Sequence, residues 1–216
     1  MKRLPAAALS ILSVLALPVL PAHAEGFGVD VRGGTTGLAV EGVQKLSPNF
    51  DFRFGVHGFK YSIKYEYDNV DYDVDQSIAL PVVFLDWRPL AGKFRLTAGA
   101  AYYNNVAKLN ATPDPTTSYT IGNGSYTGSQ IGTLSGKANY HTGAPYLGAG
   151  WDFFFGDKQN IGFTIDAGAF YRNRPDVTLT STGTVSAADL AAEAENIRGD
   201  LPKIHPLFNV GAAFRF

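Results

Sequence analysis

Apolar residues alternate with polar or small residues along most of this chain, the pattern of β-strands that have one apolar face. The clearest case is the C-terminal segment 207–216 (LFNVGAAFRF), in which every second residue from Phe208 to Phe216 is apolar. Six further segments alternate, at 34–44, 50–64, 78–87, 94–102, 136–153 and 161–171. The pattern therefore predicts seven strands.

Two strands carry irregularities. In 50–64 the apolar set changes phase after His57 and Gly58, which predicts a β-bulge. In 78–87 the predicted apolar face consists of Ile78, Leu80, Val82 and Phe84. Pro81 lies within that strand and removes one donor from the ladder.

The connections between these strands alternate between short and long. Those at 45–49, 88–93 and 154–159 are short, and those at 65–75, 109–135 and 173–204 are long. Periplasmic turns and extracellular loops alternate in this way in outer-membrane barrels. The last long connection also predicts a short helix, capped at Ser186 and ending near Arg198, with Gly199 as the C-cap.

We therefore predict an all-β fold: a transmembrane antiparallel up-and-down β-barrel of eight strands, with a short helix in the last extracellular loop. An even number of strands brings both chain ends to the periplasm. Two alternatives account for the N-terminal segment. Residues 26–32 (GFGVDVR) form a short first strand that turns at Gly33 and Gly34, or the segment threads the lumen.

Composition agrees with a membrane barrel. Charged residues make up 17% of the chain, below the roughly 25% usual in soluble domains. No segment after the N-terminus has the roughly 18 consecutive apolar residues of a membrane helix. Aromatic residues predict two belts at the two lipid–water interfaces. One belt, beside the short turns, contains Phe50, Phe52, Trp87, Phe94, Trp151, Phe153, Phe214 and Phe216, and the other contains Tyr61, Tyr65, Tyr102, Tyr140 and Tyr171.

The N-terminus predicts a cleaved signal peptide over residues 1–24. Lys2 and Arg3 precede an apolar run, and Ala22, His23 and Ala24 form a small-x-small cleavage site. The barrel domain then spans 25–216. A secreted barrel of this kind belongs in the outer membrane of a Gram-negative cell, where lipid and lipopolysaccharide are its expected partners.

The predicted lumen face collects charges, for which we predict a structural ion-pair plug or, as the alternative, a gate or weak solute site. Its members are Glu41, Asp51, Arg53, Arg95, Asp152, Asp166 and Arg215, with His57 and Lys60 further up. The lumen of an eight-stranded barrel is about wide enough for side chains to fill it, and buried charges there must be paired. Inward-facing glycines predict a cavity above the plug: Gly55, Gly99, Gly148, Gly150, Gly168 and Gly211.

A second candidate site is an acidic extracellular loop, which would attract cations, bridge divalent ions at the lipopolysaccharide surface, or serve only as a solvated loop. It contains Glu66, Asp68, Asp71, Asp73 and Asp75. The stretch lacks the glycine and distal glutamate of an EF-hand, so no specific calcium site is predicted.

Other functions find little support. The net charge of −1 gives no reason to expect a nucleic-acid partner, and the absence of cysteine excludes thiolate metal sites. His57, His141 and His205 are in no recognisable nucleophile motif, and only chance would bring Ser135 or Ser181 to His141 or His205. We predict a monomer that is not an enzyme and has no cofactor or bound metal.

Several short motifs occur in an order that resembles the carbapenem-resistance-associated outer membrane protein (CarO-type) family, across nearly the whole mature chain. They are 34–37 (GTTG), 86–89 (DWRP), 99–102 (GAAY), 144–148 (APYLG), 168–171 (GAFY) and 175–179 (PDVTL), followed by the Ala/Glu-rich helix and the aromatic C-terminus. The resemblance implies an eight-stranded barrel with a role in passive uptake of small polar or cationic solutes. Basic amino acids are the expected solutes, with carbapenems as further candidates.

Overall fold

The alternating segments close into an antiparallel β-barrel of eight strands. One shorter strand pairs with the part of a barrel strand that extends beyond its neighbour. The computed structural model describes residues 26–67, 70–90, 92–156 and 160–216, with side chains outside 59–78. The predicted signal peptide, residues 1–24, lies outside the described residues.

The elements are given in chain order. They are β1 (Phe27–Gly34), β2 (Gly37–Lys45), β3 (Phe50–Tyr67), β4 (Val70–Trp87), β5 (Phe94–Thr112), β6 (Ser118–Ile121), β7 (Gly124–Thr127), α1 (Gly128–Ile131), β8 (Leu134–Phe155), β9 (Ile161–Tyr171), β10 (Asp176–Ser181), α2 (Ala187–Asp200) and β11 (Ile204–Arg215). Around the barrel the order is β1, β2, β3, β4, β5, β8, β9 and β11.

The N-terminal segment supplies the eighth strand. β1 pairs antiparallel with β11, with Gly28 opposite Arg215, and also with β2, with Phe27 opposite Gln44. The segment is therefore a wall strand that closes the barrel, and the alternative in which it threads the lumen is wrong.

Both ends of the described chain lie at the same end of the barrel, as predicted for an even strand number. Lys45 donates its backbone N–H to the carbonyl of Gly26 (2.8 Å), and Phe216 donates to that of Phe27 (2.9 Å). We call this the short-turn end, because the turns after β2, β4 and β8 lie there. The opposite long-loop end carries the extended connections, except that β1 joins β2 through only two residues.

The wall is tallest where β3, β4, β5 and β8 pair. β3 and β4 continue to Tyr67 and Val70, so most of the predicted loop 65–75 is strand. Their register is constant over the whole pair, with Phe50 opposite Trp87 and Tyr67 opposite Val70. The predicted bulge at His57 and Gly58 is therefore wrong. Pairing of β4 with β5 runs from Asp71 to Ser77 and resumes at Val82, and Pro81, which has no N–H to donate, falls in the gap.

The outward face is apolar, as the alternation predicts, but the register of β4 is opposite to the prediction. Val83, Leu85 and Trp87 are the exposed residues, whereas Leu80, Val82 and Phe84 are buried in the lumen. Both faces of this strand are apolar, so the alternation alone does not distinguish them. Tyr140, predicted for the aromatic belt at the long-loop end, is also buried.

The long connections contain their own elements. β6 and β7 form a hairpin, and β10 extends the wall by pairing with the first part of β8. α2 is the predicted helix, capped by the Ser186 side chain, but it continues past Gly199 and ends at Asp200 with Leu201 as the C-cap. None of the helices in the described part of the chain is long and apolar enough to cross a membrane.

Asp189 of α2 holds the β6–β7 hairpin against the helix. Its carboxylate accepts hydrogen bonds from the Tyr126 hydroxyl (2.5 Å), the Ser186 hydroxyl (2.7 Å) and the backbone N–H of Asn123 (3.2 Å). The bonds from Tyr126 and Ser186 hold the pKa of Asp189 below its ordinary value. Because the pKa is lowered in the folded state, these bonds stabilise the contact at neutral pH and are lost as the pH falls through the folded-state pKa.

We therefore expect Asp189→Asn to loosen the hairpin. Hydrogen exchange followed by mass spectrometry will show faster exchange at residues 118–127 in the variant at neutral pH, and the wild type will approach the variant as the medium is acidified. Glu195→Gln is the control, because Glu195 is exposed and bonds only to Arg198 of its own helix among the described residues. Equal exchange at residues 118–127 in all three proteins would show that Asp189 does not hold the hairpin against the helix.

Candidate functional site

The seven charged residues predicted for the lumen come together in its half nearest the short-turn end. Six of them are almost fully buried and Arg215 is partly exposed at the mouth. The six are Glu41, Asp51, Arg53, Arg95, Asp152 and Asp166. Every one of the seven is in an ion pair, so the arrangement is a continuous network and not a row of isolated charges.

Arg95 is the centre of this network. Its guanidinium bonds Asp166 through two nitrogens, with Nη1–Oδ1 at 2.7 Å and Nη2–Oδ2 at 2.9 Å. It also contacts Asp152 (Nε–Oδ2, 3.1 Å) and Asp86 (Nη1–Oδ1, 3.2 Å). Thr97 and Thr164 accept further bonds from it at 3.1 and 3.0 Å. The planar guanidinium can satisfy three carboxylates at once because its five N–H groups point in fixed directions.

Arg53 joins this centre to the other side of the lumen. It pairs with Asp86 (Nε–Oδ2, 2.5 Å) and with Glu41 (Nη1–Oε2, 2.8 Å). The second oxygen of Glu41 lies 2.7 Å from Nε2 of His57, and the other ring nitrogen of His57 lies 2.9 Å from the Thr36 hydroxyl. The turn between β1 and β2 is thereby connected to the charged layer.

Two members of the network, Asp30 and Arg32, are absent from the predicted set because the sequence leaves two alternatives for β1. Arg32 pairs with Asp30 (2.6 Å), Glu41 (3.1 Å) and Asp166. Arg215 pairs with Asp30 at 2.6 Å, and not with Glu41, Asp51 or Asp152, the partners that the predicted cluster offers. The alternation of Asp30 and Arg32 with Val29 and Val31 is the signal that identifies both the strand and its lumen face.

Asp86 is also absent from the predicted set, for a different reason. It is in phase with Leu80, Val82 and Phe84, the residues predicted to face lipid. The structure buries Asp86 among Arg53, Arg95 and Thr97, whose hydroxyl donates to it at 2.6 Å. A carboxylate on the face predicted to contact lipid is itself evidence for the opposite register, because an ionised side chain is unfavourable against lipid.

The network ends at a vestibule on the short-turn end. Arg88, in the turn after β4, pairs with Asp152 at 2.7 Å and with Asp51. A cavity of about 490 Å³ lies there, lined by these three residues together with Lys45 and Lys93, among others. The cavity is open to solvent on one side and bounded by the ion pairs on the other.

The inward glycines do not leave a cavity above the plug, contrary to the prediction, because larger side chains occupy their space. A Cβ on Gly150 would lie 2.7 Å from the Arg95 guanidinium, and one on Gly211 would lie 2.6 Å from Cγ of Arg32. A Cβ on Gly148 or on Gly168 would overlap the Tyr146 hydroxyl. The remaining two are Gly55, beside Glu41, and Gly99, beside Phe84.

Above the ions the lumen is filled by an apolar and aromatic layer. Phe84, Tyr146 and Phe170 form its centre, with ring centroids 4.9 Å apart for Phe84–Tyr146 and 4.8 Å apart for Tyr146–Phe170. The other members are Leu80, Val82, Ala101, Tyr103, Tyr140, Ala144 and Leu207. No cavity large enough for a water molecule is left where this layer meets Glu41, Arg53 and His57.

Comparison with known proteins agrees with this architecture. A crystal structure of Acinetobacter baumannii CarO is 26% identical, with a TM-score of 0.63, and the match covers 88% of this chain and 97% of that one. For A. baumannii CarO2 the identity is 25%, the TM-score 0.68, and the coverage 89% and 99%. The predicted resemblance to the CarO-type family is confirmed.

A more distant structure shares the fold alone. It is a major outer membrane protein from Thermus thermophilus, which is 14% identical with a TM-score of 0.50, over 88% of this chain and 98% of that one. No protein-family model and no curated protein matches the chain. The likeness to the two CarO structures supports an outer-membrane location.

In this barrel the acidic stretch is largely a strand pair. Glu66 lies on β3, and Asp71, Asp73 and Asp75 lie on β4, whereas Asp68 lies outside the described residues. Two of the β4 residues have basic residues as Cα partners: Lys64 is opposite Asp73 and Lys108 is opposite Asp75. Glu66, in contrast, is opposite Asp71, so the stretch is part of the tall wall and contains both opposite-charge and like-charge pairs.

The serines considered for catalysis are bonded elsewhere. The Ser135 hydroxyl donates to Asn110 (2.7 Å), and the Ser181 hydroxyl donates to the carbonyl of Ile131 (2.6 Å). His205 contacts the ring of Tyr103. Within the described residues no group of three or more His, Asp or Glu side chains forms a metal site.

Asp86→Asn tests the ion network. The change keeps the shape of the side chain but removes one of the three carboxylates that Arg53 and Arg95 each contact, and we expect a loss of about 1–3 kcal/mol in the free energy of unfolding because buried N–H donors lose their acceptor. Urea unfolding of the lipid-embedded protein measures it. Asp200→Asn, at an exposed position, should change stability by less than about 0.5 kcal/mol. If Asp86→Asn lowered the free energy of unfolding no more than Asp200→Asn does, the ion network would not be buried in the folded protein.

Gly168→Ala tests whether the lumen is filled. The new Cβ would overlap the Tyr146 hydroxyl and would lie 2.5 Å from the backbone carbonyl oxygen of Leu147, at a cost of about 1–3 kcal/mol for overpacking. Gly143→Ala is the matched control, because nothing lies within 4 Å of its added Cβ. Comparable stability of the two variants, in the same urea experiment, would contradict close packing of Tyr146 against Gly168.

Proposed function

We propose that this protein is a closed outer-membrane barrel that acts through the surface at its long-loop end and does not conduct solutes through a permanent pore. The observation that carries the proposal is the continuous filling of the lumen. Ion pairs occupy the half nearest the short-turn end, and the aromatic layer around Tyr146 occupies the other half. A solute would have to displace both layers to pass.

The energetic cost of opening argues for a stable closed state. Arg95 contacts three carboxylates and Arg53 contacts three, so separating the strands would leave several buried charges without partners. Breaking one such buried pair typically costs about 3–5 kcal/mol. The coupled pairs make a spontaneous opening of the whole layer rare at equilibrium.

The long-loop end has the features of an interaction surface. β10, α2 and the β6–β7 hairpin build an ordered structure there, and β3 and β4 extend the wall with acidic residues at Glu66, Asp71, Asp73 and Asp75. Acidic residues near lipopolysaccharide suit bridging by divalent cations. Outer-membrane lipid and lipopolysaccharide are accordingly the partners we propose for a monomeric barrel.

Slow passive uptake of small polar or cationic solutes is the second candidate. The vestibule of about 490 Å³ favours it, because Asp51 and Asp152 line a cavity able to hold a small solute. The resemblance of this chain to the CarO-type family supports the same candidate, with basic amino acids and carbapenems as the solutes. On this proposal the ion network is a gate that opens transiently.

Flux measurements in liposomes distinguish the two candidates. For a closed barrel we expect wild-type protein to give no swelling above empty liposomes with lysine, arginine or a carbapenem as the solute, next to a general porin as the positive control. A triple variant, Phe84→Ala, Tyr146→Ala and Arg95→Ala, removes two large rings of the apolar layer and the central guanidinium of the ion layer, and should raise permeability if the barrel still folds.

Flux of any of these solutes through the wild type would overturn the closed-barrel proposal. If that flux were also changed by Asp152→Asn, the vestibule would be part of the path and the uptake proposal would gain support. Heat-modifiable mobility in gels monitors folding of each variant, so that loss of structure is not mistaken for opening.

A further inference from the structure

Arg172 is a buried cation at the long-loop end of the lumen, separate from the ion network. It directly follows β9 and continues the lumen face of that strand beyond Phe170. Its backbone N–H donates to the carbonyl of Lys203 (2.9 Å), which holds it beside the start of β11. Its exposed fraction is only 7%.

Two tyrosine rings hold its side chain. The Arg172 Cζ atom lies 4.0 Å from the ring centroid of Tyr140 and 4.7 Å from that of Tyr103. Both rings are buried, and the imidazole of His205 lies against Tyr103 with the centroids 5.9 Å apart. Cation–π attraction of this kind compensates part of the cost of burying a guanidinium.

No carboxylate neutralises Arg172 among the residues whose side chains are described. Its Nε is buried without a hydrogen-bond partner, and its guanidinium forms no ion pair there. Each of the four other largely buried arginines contacts two or three carboxylates: Arg32, Arg53, Arg88 and Arg95. The difference is notable because an unpaired buried charge is strongly unfavourable.

Further polar groups beside Arg172 are also unsatisfied. The Tyr103 hydroxyl and the Asn105 side-chain oxygen are buried with no partner in the described part of the chain. Asn105 is the Cα partner of Tyr140 across β5 and β8, so it belongs to the same level of the lumen. Buried polar groups are normally hydrogen-bonded, and several unpaired ones at one place indicate a missing partner.

We propose that Arg172, together with the Tyr103 hydroxyl, binds the carboxylate of a small molecule that reaches the lumen from the long-loop end. The planar guanidinium offers paired N–H donors that match two carboxylate oxygens, and the phenol is a further donor. A carboxylate fits better than a phosphate because the site offers one arginine, whereas a phosphate carries a second charge that would remain unpaired. The tyrosine rings keep the guanidinium in place before binding, which lowers the entropic cost of association.

This site does not depend on whether the barrel conducts. Arg172 lies against Tyr103 and Tyr140 at the outer edge of the aromatic layer, so a ligand can bind there without crossing the filled part of the lumen. A failed flux experiment therefore leaves it standing, and a failed binding experiment leaves the closed barrel standing.

Acetate is the probe that tests the proposal. The Nε–Hε signal of Arg172, followed by ¹⁵N NMR of the full chain in detergent micelles, should shift and saturate as acetate replaces chloride at constant ionic strength. Arg172→Gln should weaken acetate binding, measured from the shifts of neighbouring backbone amides, by about tenfold or more, since hydrogen bonds to a charged group are lost. Arg172→Lys should bind acetate with an affinity between those of the wild type and Arg172→Gln, because it retains the charge and loses the paired donors.

Two controls make the result specific. Arg174→Gln removes an exposed arginine two residues away, whose Nε donates to the carbonyl of Leu201, and it should leave acetate binding unchanged. Tyr103→Phe keeps the ring against Arg172 but removes the hydroxyl, and it should weaken binding by a smaller factor than Arg172→Gln. Tyr103→Phe also tests the proposed site if Arg172→Gln does not fold.

The proposal is wrong if acetate causes no saturable shift in the wild type, or if Arg172→Gln and Tyr103→Phe both bind acetate as the wild type does. Inorganic phosphate is the second arm of the titration. Saturable binding of phosphate without binding of acetate would also overturn the carboxylate assignment and would point to a phosphate group, such as that of a lipid headgroup.

Discussion

The burial of charged side chains inside a narrow barrel is the constraint on which this structure depends. Six carboxylates and five guanidiniums share the half of the lumen nearest the short-turn end, and each lies within ion-pair distance of an opposite charge. In a low-dielectric interior such groups are tolerated only as a connected set. Arg95 and Arg53 connect strands from opposite sides of the wall, so the network also fixes the register in which the barrel closes.

Glycine and the large side chains are matched across the lumen. An eight-stranded barrel is just wide enough to be filled by side chains, and here Gly148 and Gly168 make room for Tyr146, and Gly150 makes room for Arg95. Polar and apolar layers are therefore both close-packed. The same glycines that suggest an empty channel in the sequence are what allows the channel to be filled.

The two ends of the lumen are chemically different. At the short-turn end every arginine has carboxylate partners, whereas Arg172 at the long-loop end is held by tyrosine rings and lacks a carboxylate among the described residues. The filled middle separates the two ends. The ordered β10, α2 and β6–β7 elements at the long-loop end are consistent with a closed barrel that binds a small carboxylate at Arg172.

The sequence by itself determined the fold, because period-two alternation and the aromatic C-terminus of β11 are local properties that survive in the folded chain. It also indicated most of the charged residues of the lumen, since Arg53, Arg95 and Asp152 are the polar members of strands whose other face is clearly apolar. It did not determine the register of β4, where both faces are apolar, and so Asp86 was missed. Which residues pair was decided only by the tertiary structure. Arg215 bonds Asp30, and Arg95 bonds Asp166, because the closure of β1 on β11 and of β8 on β9 brings together residues far apart in sequence.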